Sequence, residues 1–243
     1  MLDQLKIKLF GDGADIEQML ELATKPYIRG FTTNPTLMRK AGVTDYVGFA
    51  RRVLAEITDK PISFEVFSDE LEEIHSQARE ISSWAPNVYV KVPVTNTRGE
   101  STEEIVRALT TSGVQVNVTG IFTLPQVETV TRALEGGAPS VVSVFAGRIA
   151  DAGVDPIPHM TKALEITSTV PTAELLWASP RELLNIVQAD QIGCDIITAT
   201  QDILAKLPLL GKDLAEYSRD TVTMFYTDAQ ESGFTLEEAT VPS

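Results

Sequence analysis

The 243-residue chain has one cysteine, Cys194, so no disulfide can close within it. Its two histidines, His75 and His159, are too few for a histidine-rich metal site. These scarcities point to a reducing cytoplasm and to a metal-free mechanism, and no cofactor is expected. His75 lies on a charged helical stretch and reads as a surface residue. His159 follows Pro158 near a helix start, where capping or exposure is expected. Positive charge is also short: 20 Lys and Arg stand against 34 Asp and Glu, a net charge of −14. Nucleic acid is thereby excluded as an expected partner, because its phosphates need a basic surface. A phosphorylated small molecule stays open, since a few arginines can converge locally in an acidic protein. No apolar run is long enough to span a bilayer, and the opening Met-Leu-Asp-Gln-Leu-Lys lacks a basic-then-apolar signal pattern, so no membrane is expected.

Equally missing are a G-x-G-x-x-G phosphate fingerprint, a linker rich in Pro, Gly or Ser, an internal repeat and any low-complexity segment. What is present is an alternation of strand-like and helix-like stretches. Strands are predicted at 7–10, 28–32, 62–66, 88–92, 115–119, 141–145, 175–177 and 196–198. Helical patterns fall at 16–23, 46–56, 70–83, 101–111, 125–134, 160–166 and 180–189. Eight β/α units over roughly 250 residues predict an α/β fold of the (β/α)₈ TIM-barrel kind. The barrel is expected over residues 1–235, with an extra C-terminal helix at 214–232 and a flexible tail over 236–243. A doubly wound open sheet is the alternative architecture. With 43% hydrophobic residues, the chain can bury a sizeable core.

Lys91 carries the most chemical information. In Val88-Tyr89-Val90-Lys91-Val92-Pro93-Val94 the valines share one strand face and Lys91 takes the other. A desolvated lysine amine can lose its proton and attack a carbonyl to form a Schiff base; a lysine on an exposed sheet edge would instead keep its head in water. The same period of two separates Ser63, Glu65 and Phe67 from Ile62, Phe64 and Val66. It sets Gln115, Asn117 and Thr119 opposite Val114, Val116 and Val118. Ser143 shares a face with Phe145, and Asp12 continues the parity of Lys8 and Phe10. A carboxylate, an amine, an amide and two hydroxyls would therefore converge inside the barrel near the strands' C-terminal ends. An unpaired polar group buried there costs about 1–3 kcal/mol, and barrel enzymes work at this end, so the set reads as an active site.

Six stretches, in order, carry a resemblance. They are Leu9-Phe10-Gly11-Asp12-Gly13-Ala14-Asp15, Gly30-Phe31-Thr32-Thr33-Asn34-Pro35-Thr36, Val90-Lys91-Val92-Pro93-Val94-Thr95, Asn117-Val118-Thr119, Ser143-Val144-Phe145-Ala146-Gly147-Arg148-Ile149 and Ala178-Ser179-Pro180-Arg181. Over nearly its whole length the chain resembles the transaldolases, including the smaller fructose-6-phosphate aldolase-like members. The resemblance implies a metal-free class I aldol mechanism in the pentose phosphate pathway. Lys91 would form the Schiff base with a ketose phosphate, and Asp12 would act as general base on the C4 hydroxyl. Glu65 and Thr119 would hold a proton-shuttling water. Asn34, Asn117 and Ser143 would bond the dihydroxyacetone unit, and Arg148, Ser179 and Arg181 the phosphate.

Structural roles compete with several of these. Asp12 or Asp15 caps the next helix, with Asp15 the better candidate; Asn34 before Pro35 makes a turn or an N-cap; Ser179-Pro180 looks like an N-cap with proline at the first helical position. Arg148 and Arg181 alone would pass as surface residues, and Thr119 as a core hydroxyl bonded to backbone. The chain departs from the family at Gly11 and Gly13 beside Asp12, at Gly120, and at Pro180, where an aromatic residue is common. Glutamate at 65 and phenylalanine at 145 go with transfer of the three-carbon unit to an aldose phosphate. Glutamine and tyrosine there go with a lyase that releases dihydroxyacetone. A catalytically silent sugar-phosphate-binding protein is the reading from another class. Assembly as a homo-oligomer is compatible with all three.

Overall fold

Alternate residues of each strand fall into two separate apolar clusters. Val88, Val90, Val92, Val116 and Val118 belong to the large cluster between strands and helices, whereas Phe10, Val141, Leu176 and Ile196 form a small one of their own. Only a closed sheet gives each strand a helix-facing and an axis-facing side at once. The computed structural model, which describes residues 2–236, has that closure. Its strands are β1 (Lys8–Asp12), β2 (Ile28–Thr32), β3 (Ile62–Glu65), β4 (Val88–Pro93), β5 (Val116–Ile121), β6 (Ser140–Val144), β7 (Ala173–Trp177) and β8 (Ile196–Ala199). Each pairs in parallel with the next in chain order, and β8 returns to β1 through Lys8–Ile196 and Phe10–Thr198. The fold is a (β/α)₈ barrel, as expected.

Eleven α-helices are described: α1 (Ile16–Ala23), α2 (Pro35–Lys40), α3 (Tyr46–Glu56), α4 (Leu71–Ser82), α5 (Glu103–Thr111), α6 (Leu124–Ala133), α7 (Ala146–Asp151), α8 (Pro156–Thr167), α9 (Leu184–Gln191), α10 (Gln201–Leu204) and α11 (Leu214–Glu231). Three of them, α2, α7 and α10, are too short to show a helical period and were not expected. Helix α8 starts four residues before the expected Met160. Asp155 caps it, and Pro156 and Pro158 sit in a first turn whose N–H groups have no helical partner. His159 in that turn is half-buried and does not cap, and His75 on α4 is also half-buried, so neither is a plain surface residue.

Inside the barrel, glycine decides one contact. A Cβ on Gly30 would stand 2.5 Å from Cζ of Phe10, so the ring fills the space a side chain on β2 would take. The C-terminal helix α11 begins at a capping Asp213 and buries none of its residues; Leu214, Val222, Met224, Phe225 and Tyr226 are all exposed. Beyond Leu236 the expected tail lies outside the described residues. No described helix is long and apolar enough to cross a membrane.

Replacing Gly30 with alanine should lower stability by about 1–3 kcal/mol, the usual cost of overpacking a filled interior. Urea unfolding should show a lower midpoint at an unchanged slope. Wild-type stability in Gly30→Ala would mean that the Phe10 ring is free to move aside.

Candidate active site

Lys91 is 6% exposed, and its ammonium is held on two sides. Its Nζ donates to the carbonyl of Thr33 at 2.9 Å and lies 3.0 Å from Oε2 of Glu65. The register makes this unavoidable. Glu65 and Lys91 are direct partners on β3 and β4, and Lys91 is in turn opposite Asn117 on β5. Facing side chains on adjacent parallel strands point to the same side, so the carboxylate and the amine must share the barrel mouth. Tyr46 pins the end of β3 by donating its hydroxyl to the Glu65 carbonyl at 2.7 Å.

Asp12, at the end of β1, sits across from this pair. Thr32 Oγ1 donates to Asp12 Oδ1 at 2.8 Å and also lies 2.6 Å from Thr198 Oγ1. Burial pushes the Asp12 carboxyl above its usual range, opposed by the positive charge of Lys91 and the Thr32 hydrogen bond; the negative charge of Glu65 adds to the rise. Asp12 caps no helix. Asp15 caps α1, accepting from Gln18 N at 3.0 Å.

A third group links β3, β5 and β6. Ser143 Oγ donates to Asn117 Oδ1 at 2.6 Å, and Asn117 Nδ2 donates to Ser63 Oγ at 3.0 Å. Thr119 is buried on β5, but its hydroxyl bonds to no described residue, so the backbone-bonded alternative fails. After it, Gly120 takes a φ of +74° as the β5–β6 register slips before Ile121, a conformation that favours glycine. The slip brings Phe122 onto Phe145, rings stacked with centroids 5.6 Å apart, and the Arg148 guanidinium lies 5.3 Å from the Phe145 centroid.

Asn34 is the N-cap of α2, one of its expected structural roles, its Oδ1 accepting from Leu37 N at 3.0 Å, which leaves the amide Nδ2 free of that bond. One expected assignment needs correction. Ser179 is not an N-cap: it has a φ of +62°, and α9 begins only at Leu184. The delay has a cause in Asn185, whose Oδ1 takes the N–H groups of Arg181 and Glu182 at 2.7 and 3.2 Å and so ties up the segment before the helix. Arg181 is not a lone surface arginine. Its Nε and Nη2 grip the Asp151 carboxylate, and Nη1 donates to Ser179 Oγ and O at 3.0 Å each. The Arg181 hydrogen bonds hold Asp151 below the usual carboxylate range. Gly147 makes this junction possible, because a Cβ there would fall 1.6 Å from the Ser179 carbonyl oxygen.

A cavity of about 250 Å³ runs between Asp12 and the segment after β7, lined by Asp12, Ser179, Arg181, Thr198, Thr200 and Asp202; Lys91 and Glu65 are not among its lining residues. A wider hollow of about 440 Å³ at the strands' N-terminal ends includes Lys6, Lys8 and Arg29 but no acid–base group of the mouth. Among the described residues no three His, Cys, Asp or Glu stand close enough to hold a metal ion.

The family profile described as transaldolase/fructose-6-phosphate aldolase matches residues 9–240. The chain belongs to this family. It is 33% identical over 218 residues to a protein from Dehalococcoides mccartyi named probable transaldolase, covering 88% of this chain and 97% of that one. It is 32% identical over 220 residues to probable transaldolase 2 of Listeria monocytogenes, covering 88% and 95%. Among solved structures, a HpcH/HpaI aldolase/citrate lyase family protein from Burkholderia cenocepacia superposes with a TM-score of 0.59 at 12% identity, covering 88% of this chain and 95% of that one. A 3-hexulose-6-phosphate synthase superposes with a TM-score of 0.55 at 19% identity, covering 80% and 90%. At such identities these two bear on the barrel alone.

The raised Asp12 carboxyl makes a stability prediction with a definite sign. A folded-state value above the unfolded one favours the native state at low pH, and that advantage is lost as pH rises through the window between them. Asp12→Asn should therefore be more stable than wild type at pH 7, with the gap shrinking as pH falls toward 4 and the carboxyl takes up its proton. Thermal unfolding across that range reads it; a gap independent of pH would mean Asp12 ionises unhindered.

Proposed function

We propose that the protein is a transaldolase that moves a dihydroxyacetone unit from a ketose phosphate, of the fructose 6-phosphate type, to an aldose phosphate. The observation that carries the reading is a buried amine, Lys91, within 3.0 Å of a carboxylate and in the charge field of a second, desolvated one. Glu65 is placed to take the ammonium proton, leaving the Lys91 lone pair to attack the ketone carbon. Expulsion of the carbinolamine hydroxyl as water gives the iminium, with Glu65 and a water held at Thr119 carrying the protons. Asp12 then removes the C4 hydroxyl proton, the C3–C4 bond breaks, and its electron pair runs to the iminium nitrogen as an aldose phosphate departs. The enamine left on Lys91 attacks the acceptor aldehyde, Asp12 returns its proton to the new hydroxyl, and water releases the longer ketose.

Binding follows the same division. Asn117, Ser143 and the Asn34 amide serve the hydroxyls of the three-carbon unit. Arg148 and Arg181, with Ser179, serve the phosphate through charge-assisted hydrogen bonds. Asp151 takes Nε and one Nη2 hydrogen of Arg181 and Ser179 takes Nη1, so the second Nη2 hydrogen remains for the phosphate. Phe145 offers no hydroxyl to order a hydrolytic water beside the enamine, which favours transfer over release. The apolar residues exposed on α11 fit assembly as a homo-oligomer, and the absence of a bilayer-length helix among the described residues fits a cytoplasmic site.

Fructose 6-phosphate alone should be consumed slowly. Erythrose 4-phosphate should accelerate its consumption at least tenfold with sedoheptulose 7-phosphate as product, because an acceptor bypasses the slow protonation and hydrolysis of the enamine, a barrier difference of about 1.4 kcal/mol or more. Dihydroxyacetone released equally fast with and without acceptor would assign the protein to the lyases instead.

A further inference from the structure

Neither Thr32 nor Thr198 has a role in the mechanism above, yet with Asp12 the two join β1, β2 and β8 through hydrogen bonds at the mouth. Thr32 is 3% exposed and Thr198 is 4% exposed. A threonine hydroxyl has one proton to give. Thr32 gives its proton to Asp12 at 2.8 Å, and an ionised carboxylate can only accept. The 2.6 Å contact between Thr32 and Thr198 must then run the other way, with Thr198 the donor and the Thr32 oxygen the acceptor. We propose that Thr198 is a positioning residue: its hydroxyl occupies the Thr32 oxygen and so turns the single Thr32 proton onto Asp12. The inference rests on the reading of Asp12 as the general base.

The order of the chain has a consequence. A hydroxyl that accepts a hydrogen bond is a stronger donor, so Thr198 strengthens the Thr32 bond to the carboxylate. Without it, Thr32 is free to rotate away, and Asp12 loses a partner of its charged form. The other charges facing Asp12 stay in place: Lys91 from β4 and Glu65 from β3, with Arg181 and Asp202 lining the same cavity. Register explains why β8 supplies this group. Thr198 is paired with Phe10 on β1, one residue pair below the mouth, so its side chain shares the axis-facing parity of Phe10 and Asp12.

The test uses Thr198→Val, which keeps the side chain's shape, and Thr198→Ser, which restores the hydroxyl. Carbon-13 NMR of carboxyl-labelled aspartate, with the Asp12 signal assigned through Asp12→Asn, follows the carboxyl directly in the ligand-free protein. Its midpoint should rise by about half a pH unit in Thr198→Val, as expected for losing part of one charge-assisted hydrogen bond, and return to within about 0.2 units of wild type in Thr198→Ser. The acid limb of kcat/KM for fructose 6-phosphate should move by the same amount and direction. An Asp12 midpoint unmoved in Thr198→Val overturns the proposal, as does a shift that serine fails to rescue. If Thr198→Val does not fold, Thr198→Ala is titrated under the same criteria. Because the NMR titration needs no turnover, an inactive wild-type protein whose Asp12 still shifts would refute the aldol reading and leave the positioning role standing.

Discussion

An ammonium group enclosed in a barrel must have its charge answered, and here the answer is Glu65 together with the Thr33 carbonyl. Removing one partner of such a buried pair costs on the order of 3–5 kcal/mol, because the other charge is left uncompensated. Much of the mouth follows from that constraint. Glu65 must end β3 in register with Lys91, and the chain after β2 must turn so that a carbonyl faces inward. Thr33 is fixed in that turn by its own bonds to Ser63, from both N and Oγ1 to the same carbonyl oxygen. The aromatic group of Tyr46, Phe64 and Trp84 packs behind β3 and holds the strand from outside.

Around this pair the remaining polar groups satisfy one another in two sets. One set is Asp12, Thr32 and Thr198; the other is Ser63, Asn117 and Ser143. Each spans three strands, so each acts as a tie across the barrel as well as a source of donors and acceptors for a ligand. A polyhydroxylated substrate can exchange with such ties at little cost, since its own hydroxyls replace the bonds it displaces. The side that carries Arg181 is built differently. There a close approach at Gly147, the left-handed Ser179 and the Arg181–Asp151 grip join the loops that follow β6 and β7.

The barrel and the inward set were legible in the sequence because both depend on short periods. The alternation of valines with Lys91, Asn117 and Ser143 needs only a period of two, and the register irregularities leave the inward parity of these residues intact. The capping role of Asp15 was legible for the same local reason. What escaped was either short or distant. Helix α2 has six residues and opens on a proline, and α7 carries a glycine, so neither shows a helical face. The start of α9 was misplaced because Ser179-Pro180 has a capping composition, while Asn185, four residues past Arg181, decides the backbone there. The partners of Thr198, Thr33 and Asp151 depend on β8 meeting β1, β4 reaching the β2 loop, and two loops converging, none of which a local pattern contains.

The claim on which the account rests is that the Lys91 amine bonds covalently to the substrate ketone. Incubation with fructose 6-phosphate and borohydride, followed by proteolysis and mass spectrometry, tests it directly, since reduction turns an imine into a stable secondary amine. The account predicts a three-carbon adduct on the peptide containing Lys91 and none in Lys91→Met, which should still give the folded protein's circular dichroism spectrum. An adduct on another lysine, or turnover retained in Lys91→Met, would contradict it.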